Sequence, residues 1–437
     1  MPHQPEALRP QRTLAADLAA HDSGVLVRLD GWIHRRRRLS GLSFVVVRDR
    51  SGLAQVVVRD PATMALVDEL SEETTVEVVG RVSANAQAPG GVEVTEPAFR
   101  ALTSPAATPP VELWRPKLSG ALPTLLDHGQ VTLRHRTRQA RWRLAEASLR
   151  GFAGTLDNAG FTQVKSPKLV ESATESGANV FRVDYFGGDA YLAQSPQFYK
   201  QMLVGVFERV YEVGPVFRAE PHDTVRHLSE YISLDVELGF IDDHRDVIRV
   251  LRDVLHGMVV AVSEQAADAV DLLGVRLPRV PDEIPVIHFR DALSIAGASE
   301  DEPDLAPADE RAIGAWALAE HDSDVVAVEG YPMVKRPFYT HPSPDPRWSN
   351  SFDLVFRGME LVTGGQRLHR YEDYVSALAA AGQSPEAYAG YVDTFRYGMP
   401  PHGGFAIGLE RWIARLVEAE NVREVSLFPR DLHRLSP

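Results

Sequence analysis

The segment Phe217–Glu237, FRAEPHDTVRHLSEYISLDVE, concentrates charge at short spacing. Arg218 and Glu220 lie two residues apart, a spacing that puts both on one face of a strand. Turn-forming residues follow from Pro221 to Arg226. The chain resumes with His227 and Leu228, then Glu230 and Tyr231, and enters the alternation Ile232, Ser233, Leu234, Asp235, Val236, Glu237. The expectation is two antiparallel strands joined by a loop, turning Arg, Glu, Asp and Glu to one surface. Such a surface is costly to bury unless it meets a polar, charged ligand. An exposed hairpin with a solvated face is the alternative.

Two further segments stand in order around this one. Gly160–Pro167, GFTQVKSP, follows an amphipathic helix; Gly404–Arg411, GFAIGLER, is a glycine-bearing strand entering a helix. With Phe217–Glu237 between them, they resemble motifs 1, 2 and 3 of the class II aminoacyl-tRNA synthetases. Ser195–Gln201, SPQFYKQ, is similar to a string in the aspartyl branch. The resemblance implies activation of an amino acid by ATP, with Arg218, Glu220 and Arg411 as catalytic residues. ATP would also meet Arg226, His227, Leu228, Tyr231, Glu360 and Gly408. Asp353 and Glu360 would hold Mg²⁺, with Thr363 adding a hydroxyl. L-Aspartate would be bound by Glu175, Gln197, Lys200, Asp235 and Arg367. In that scheme Lys200 and Arg367 face its side-chain carboxylate, and Asp235 and Glu175 its ammonium. Two cations over a carboxylate favour aspartate over asparagine, whose neutral amide would leave them unpaired.

Nearer the N-terminus, strands are expected at Val25–Ile33, Ser43–Arg48, Ala54–Arg59, Thr75–Ser83 and Gly91–Phe99, with a helix at Ala62–Leu70 between the third and fourth. Three strands, a helix and two strands is the order of an OB-fold, a small barrel that often binds single-stranded nucleic acid. The basic run His34–Arg38 lies between the first two strands. Phe44 offers a platform for an unpaired base, Gln55 reads a base edge, and arginines neutralise phosphate. A core position for Phe44 and a solvated loop for the arginines are the bland alternatives. The segment resembles the anticodon-binding domain of aspartyl-, asparaginyl- and lysyl-tRNA synthetases, which implies His34, Arg35, Arg37, Phe44, Gln55 and Pro89 as anticodon-binding residues. His34 and the Pro89 loop stand where enzymes restricted to tRNA-Asp carry Trp and Lys. The resemblance therefore implies the non-discriminating kind, which also charges tRNA-Asn for a downstream amidotransferase.

These sites need at least two domains, and 437 residues suffice. The expected fold class is α/β multi-domain: an OB barrel over residues 1–102, a proline-rich linker over 103–130, and a synthetase domain over 131–437. That domain would hold an antiparallel sheet flanked by helices and, by resemblance, form a homodimer. Asp242–Ala267 and 371–397 read as helices, Met333–Tyr339 and Ser351–Phe356 as strands, and 268–330 as further helices without catalytic signal. There is no cysteine, which excludes disulfides and thiolate metal sites. Net charge of −14 argues against coating nucleic acid by bulk electrostatics, but not against a local basic patch. No apolar run has the length of a membrane span, so a cytoplasmic protein is expected. No Walker A loop is present. Three rivals remain: an asparaginyl-tRNA synthetase, which would lack Lys200; a tRNA-independent asparagine synthetase-like ligase, which would lack the barrel; and a non-catalytic RNA-binding paralogue, which would lack Arg218, Glu360 or Arg411.

Overall fold

β-Branched residues at alternate positions form five strands in the first unit of the computed structural model, which describes residues 10–171 and 179–436. They are β1 (Leu26–Leu39), β2 (Leu42–Arg48), β3 (Leu53–Val58), β4 (Thr75–Ala84) and β5 (Val92–Ala101), with helix α1 (Pro61–Asp68) after β3. The strands close into a barrel in the order β1-β2-β3-β5-β4. Val27, Leu29, Ile33, Val45, Val47, Val56, Val76, Val78 and Val94 fill it, joined by Met64 and Val67 of α1. Asp60 caps α1, accepting from Thr63 N at 2.7 Å.

The first strand, expected to end at Ile33, runs on to Leu39 and takes up the arginines. Arg35–Arg38 pair with Val46, Val45, Phe44 and Ser43 of β2. Alternation then divides the run. Arg36 donates to the carbonyls of Leu70, at 3.0 Å, and Val67, and Arg38 pairs with Asp68. These two satisfy and neutralise the C-terminal end of α1. Arg35 and Arg37 share the other face with Phe44 and Gln55. The stretch expected as a linker packs on this unit: Ala106 N donates to Thr74 Oγ1 at 3.0 Å, and the Arg35 guanidinium lies 3.8 Å from the Trp114 ring centre. Short helices α2 (Leu122–Asp127) and α3 (Gly129–Thr132) follow, and this compact unit extends to His135.

The second unit, Arg136–Pro437, opens with α4 (Arg136–Asn158), β6 (Thr162–Gln163), β7 (Leu169–Val170), β8 (Arg182–Tyr185) and β9 (Gly188–Leu192). Then come α5 (Gln197–Phe207), β10 (Arg209–Phe217), β11 (Glu230–Gly239), α6 (His244–Gln265), α7 (Ala267–Leu273) and β12 (Val286–His288). The chain continues through α8 (Phe289–Ala296), α9 (Pro307–His321), β13 (Val325–Glu329), β14 (Ser351–Phe356) and β15 (Met359–Gln366). It finishes with α10 (Tyr371–Ala380), α11 (Ala389–Val392), β16 (His402–Gly408) and α12 (Leu409–Leu416). One eight-stranded sheet, in the order β12-β13-β14-β15-β16-β11-β10-β6, is antiparallel except at its two edge pairs. Its apolar face packs on α4, α6 and α12. Gly151 and Gly257 let α4 and α6 touch, since a Cβ at Gly151 would lie 2.4 Å from the Gly257 carbonyl oxygen.

Three further expectations need correction. Met333–Tyr339 is not a strand but a short 3₁₀ turn, Met333–Lys335, within a loop; Pro332 and Pro337 cannot donate to a ladder there. The region 268–330, expected as further helices, also holds strands β12 and β13; Val325–Val328 of β13 are all buried, so no alternation marks it. The motif 2 hairpin has a longer loop than expected, with β10 ending at Phe217 and β11 starting at Glu230. Arg218 and Glu220 therefore sit past the strand end, although Arg218 N still donates to Ser229 O at 2.8 Å.

Trp412 joins α12 to the rest of this core. It is fully buried, stacks on Phe356 at 5.0 Å between ring centres, and donates from Nε1 to Ser148 Oγ of α4 at 2.9 Å. Trp412→Ala should destabilise the chain by about 3–5 kcal/mol, read as a lower urea midpoint. A midpoint equal to the parent's would show that α12 is not anchored through this ring.

Candidate active site

The polar face of the sheet forms the floor of a cavity of about 320 Å³. Alternation along β11 builds that floor. Leu234, Val236 and Leu238 point into the apolar core, leaving Tyr231, Ser233, Asp235 and Glu237 on the opposite face. Lys200 of α5 is fully buried over them, with Nζ 3.1 Å from Asp235 Oδ1 and 3.4 Å from Glu237 Oε2. It also donates to Phe405 O at 3.2 Å. Arg367, just past β15, donates from Nε to Glu237 Oε1 at 3.1 Å and from Nη2 to Gly404 O at 3.0 Å. Gly404 is required here, because a Cβ would lie 2.1 Å from Glu237 Oε2.

Burial works against both carboxylates. It lifts the Asp235 carboxyl above its ordinary range, with Lys200 and the Ser233 hydroxyl pulling the other way. For Glu237 the opposing charges of Arg367 and Lys200 prevail, and the group stays below its ordinary value. The two cations expected to face a ligand carboxylate are thus held by two acids. Gln197, also in the cavity wall, is buried with its Nε2 unpartnered among the described residues. Glu175 lies outside the described residues.

A second group occupies the part of the cavity nearer α12. The Arg218 guanidinium lies 5.7 Å from the Tyr231 ring centre. Arg411 Nη1 is 3.9 Å from Glu360 Oε1. Glu220, His227 and Leu228 line the same wall, and Gly408 leaves the Tyr231 ring open at 3.9 Å from its would-be Cβ. Burial and the charge of Arg411 hold the His227 imidazole below its ordinary pKa. Arg226 pairs with Glu310 of α9, whose Oε2 also accepts from Glu360 N at 3.0 Å.

Asp353 and Thr363 are opposed in the β14–β15 ladder, and Thr363 Oγ1 donates to Glu360 Oε1 at 3.2 Å. Desolvation, then the charge of Asp353, pushes the Glu360 carboxyl up. Arg336 covers Asp353 with bonds of 3.0 and 3.3 Å. Asp353, Glu360 and Thr363 offer the oxygen donors that a hard divalent cation would take, with Arg336 on Asp353 and Arg411 beside Glu360 as the cations it would compete with.

In the barrel unit, Phe44 is half-buried and lies outside the core. Gln55 donates from Nε2 to Glu93 at 2.9 Å. Pro89 is exposed in the β4–β5 turn. His34 lies at a β-bulge, with Nδ1 3.2 Å from Arg48, and Arg48 is paired bidentately with Glu73. Of the expected anticodon residues, Arg35 and Arg37 are both exposed, and Arg35 is already stacked on Trp114.

A model of class II tRNA synthetases (D, K and N) matches residues 122–432. The chain belongs to that family. A model of the OB-fold nucleic acid binding domain matches residues 27–102. Among class II relatives, the aspartate--tRNA(Asp/Asn) ligase of Thermus thermophilus is 46% identical, with 98% of this chain and 100% of that protein covered. The protein of the same name from Deinococcus radiodurans is 43% identical, with 98% and 99% covered. Among solved synthetases, the asparaginyl-tRNA synthetase from Pyrococcus horikoshii, complexed with asparaginyl-adenylate, aligns with a TM-score of 0.91 at 29% identity, covering 98% of this chain and 100% of that one.

Four residues of this synthetase site escaped the sequence reading as site residues. Glu310 arrives from α9, within the region 268–330 that carries no catalytic signal, and Arg336 from the loop after β13, in the stretch expected as a strand. Glu237 was read only as part of a charged face. Glu410, at the start of α12, is buried and accepts from Ile232 N at 3.1 Å; its place inside GLER was the one signal available. Burial pushes its carboxyl up to about 7 from the ordinary 4.5. Between those values the folded chain keeps a proton that the unfolded chain has released. Stability from this group is therefore full below pH 4.5 and declines as pH rises through about 7. Glu410→Gln should remove that decline, so the variant's melting temperature should gain on the parent's as pH rises across this window. Parallel curves would contradict this.

Proposed function

We propose that the chain joins L-aspartate to ATP as aspartyl-adenylate, releasing pyrophosphate, and transfers the aspartyl group to tRNA-Asp and tRNA-Asn. The observation that carries this reading is the pair Lys200 and Arg367, buried side by side through Glu237 and next to the arginines Arg218 and Arg411. Activating a carboxylic acid needs positioning and charge neutralisation more than covalent help. The aspartate side chain docks on Lys200 and Arg367, and its ammonium on Asp235, with Gln197 and Glu175 completing the pocket. The α-carboxylate then attacks the α-phosphate in line. Arg218 takes the α-phosphate bidentately. Tyr231 and Arg411 sandwich the adenine, Glu220 accepts from its amino group, and Leu228 and Gly408 leave room for it. Arg226 and His227 meet the outer phosphates, with Arg226 exchanging Glu310 for phosphate.

Asp353, Glu360 and Thr363 hold Mg²⁺, which when bound neutralises phosphate charge. Phe44, Gln55, Arg37, His34 and Pro89 read the anticodon from the barrel, residues 1–102, while the catalytic domain covers 131–437. Arg35 contributes only if it leaves Trp114. A cytoplasmic homodimer and a downstream amidotransferase for aspartyl-tRNA-Asn complete the reading. No helix among the described residues is long and apolar enough to cross a membrane. Activation of asparagine instead would set an amide nitrogen against two cations, a loss of roughly 1.5–3 kcal/mol.

Purified chain should catalyse aspartate-dependent ATP–pyrophosphate exchange without tRNA and charge both tRNA-Asp and tRNA-Asn. Charging of tRNA-Asp alone would overturn the dual specificity. Arg411→Ala should lower exchange by roughly 10²–10³-fold. Phe44→Ala should leave exchange unchanged while lowering kcat/KM for tRNA by about 5- to 150-fold, the equivalent of about 1–3 kcal/mol of lost stacking. Equal losses in both assays from Phe44→Ala would contradict the division of labour.

A further inference from the structure

The motif 2 loop carries a group of side chains that the reaction above does not fully use. Glu220, His222 and His227 have ligand atoms all within 4.8 Å of one another, and the two imidazole rings lie 5.1 Å apart between centres. His227 is anchored through Nδ1 by the Thr224 hydroxyl at 2.6 Å. A ligating histidine fixed through its other nitrogen is the usual arrangement in metal centres. Two imidazoles and one carboxylate form a borderline-soft donor set that suits Zn²⁺, Co²⁺ or Ni²⁺ and not Mg²⁺. Three protein ligands leave one position for water. Tetrahedral bonds of about 2.0–2.1 Å bring ligand atoms to roughly 3.3 Å from one another. Side-chain rotation within one loop has to supply that closure. His222 is exposed, on the solvent side of the other two. Arg226, the cation next to His227 in the chain, is paired with Glu310, yet its charge still acts on His227 and opposes a second cation there. Arg411 also opposes a cation here, since its charge acts on His227.

We infer that Glu220, His222 and His227 form an inhibitory site for a transition-metal dication of the Zn²⁺ class, distinct from the carboxylate site at Asp353 and Glu360. Glu220 and His227 also line the cavity, whereas His222 does not. A metal that claims the first two removes them from the nucleotide, so metal and ATP compete. This competition rests on the reading that ATP occupies this cavity.

The test uses the full chain with Co²⁺ as spectroscopic probe and Zn²⁺ as inhibitor, Mg²⁺ being held constant in the exchange assay. Parent protein should bind one Co²⁺ with a tetrahedral absorption band that His222→Ala lacks. Zn²⁺ should raise the apparent KM for ATP in the parent, and at least tenfold more Zn²⁺ should be needed in His222→Ala. Exchange without Zn²⁺ should be unchanged in that variant, which also reports that it has folded; His222→Gln provides a second, less disruptive change. Equal Co²⁺ spectra in parent and variants, or equal Zn²⁺ sensitivity, would overturn the site and point to displacement of Mg²⁺ from Asp353 and Glu360. A Co²⁺ band that depends on His222, in a parent with no aspartate-dependent exchange, would uphold the metal site and count against the ATP reading.

Discussion

Four buried charges on the floor of the sheet, Lys200, Asp235, Glu237 and Arg367, constrain the geometry around them. Removing such ions from water costs several kcal/mol each, and their mutual attraction repays this only with tight geometry and further hydrogen bonds. The chain supplies those bonds from backbone. Phe405 O and Gly404 O accept from Lys200 and Arg367, and Gly404 can have no side chain because Glu237 fills the space. Behind them stands a neutral layer. Gln201 Oε1 accepts from the hydroxyls of Tyr374 and Tyr391 at 2.9 and 2.8 Å, and His402 Nε2 lies 3.1 Å from the same oxygen. Burial pushes the His402 imidazole down to about 4, so it adds no third cation beside Arg367. The array is neutral as a set, yet it keeps two cations at fixed positions with little freedom to turn aside.

That neutrality changes the argument for substrate choice. Two bare cations would attract any anion. In the proposed reading, two cations already satisfied by acids reward only a ligand whose own charges match the pattern, a carboxylate for Lys200 and Arg367 and an ammonium for Asp235. The discrimination is then a difference between matched and mismatched polar groups in a buried site, where each unmet partner is expensive. The loop between β10 and β11 serves the other half of the cavity. It carries Arg218, Glu220, Arg226 and His227 past the strand ends, where Arg226 pairs with Glu310.

Much of this was legible in the sequence because it is periodic. The polar–apolar alternation of Ile232–Glu237 announced both the core face and the site face of β11, and alternating valines announced the barrel. The rest depends on contacts between distant segments. Glu310 and Arg336 carry no local pattern, and only packing of α9 and of the loop after β13 brings them to Glu360 and Asp353. β13 is buried on both faces, so its run of valines has no alternation to read. The arginines after Ile33 looked like a loop by composition; pairing with β2 extended the strand through them and gave Arg36 and Arg38 to the end of α1. Arg35 was expected to meet nucleic acid, and no local rule foretold that a tryptophan from the supposed linker would lie beneath it.

The most direct test of the charge-matched pocket is the ratio of kcat/KM for aspartate to that for asparagine in pyrophosphate exchange, measured for the parent and for Lys200→Met. Any general loss of folding or ATP binding cancels in this ratio. If Lys200 and Arg367 select the ligand carboxylate, the ratio falls at least tenfold, the equivalent of about 1.4 kcal/mol. A ratio equal to the parent's, with both activities reduced alike, would mean that Lys200 only holds the sheet floor together and that aspartate is chosen elsewhere.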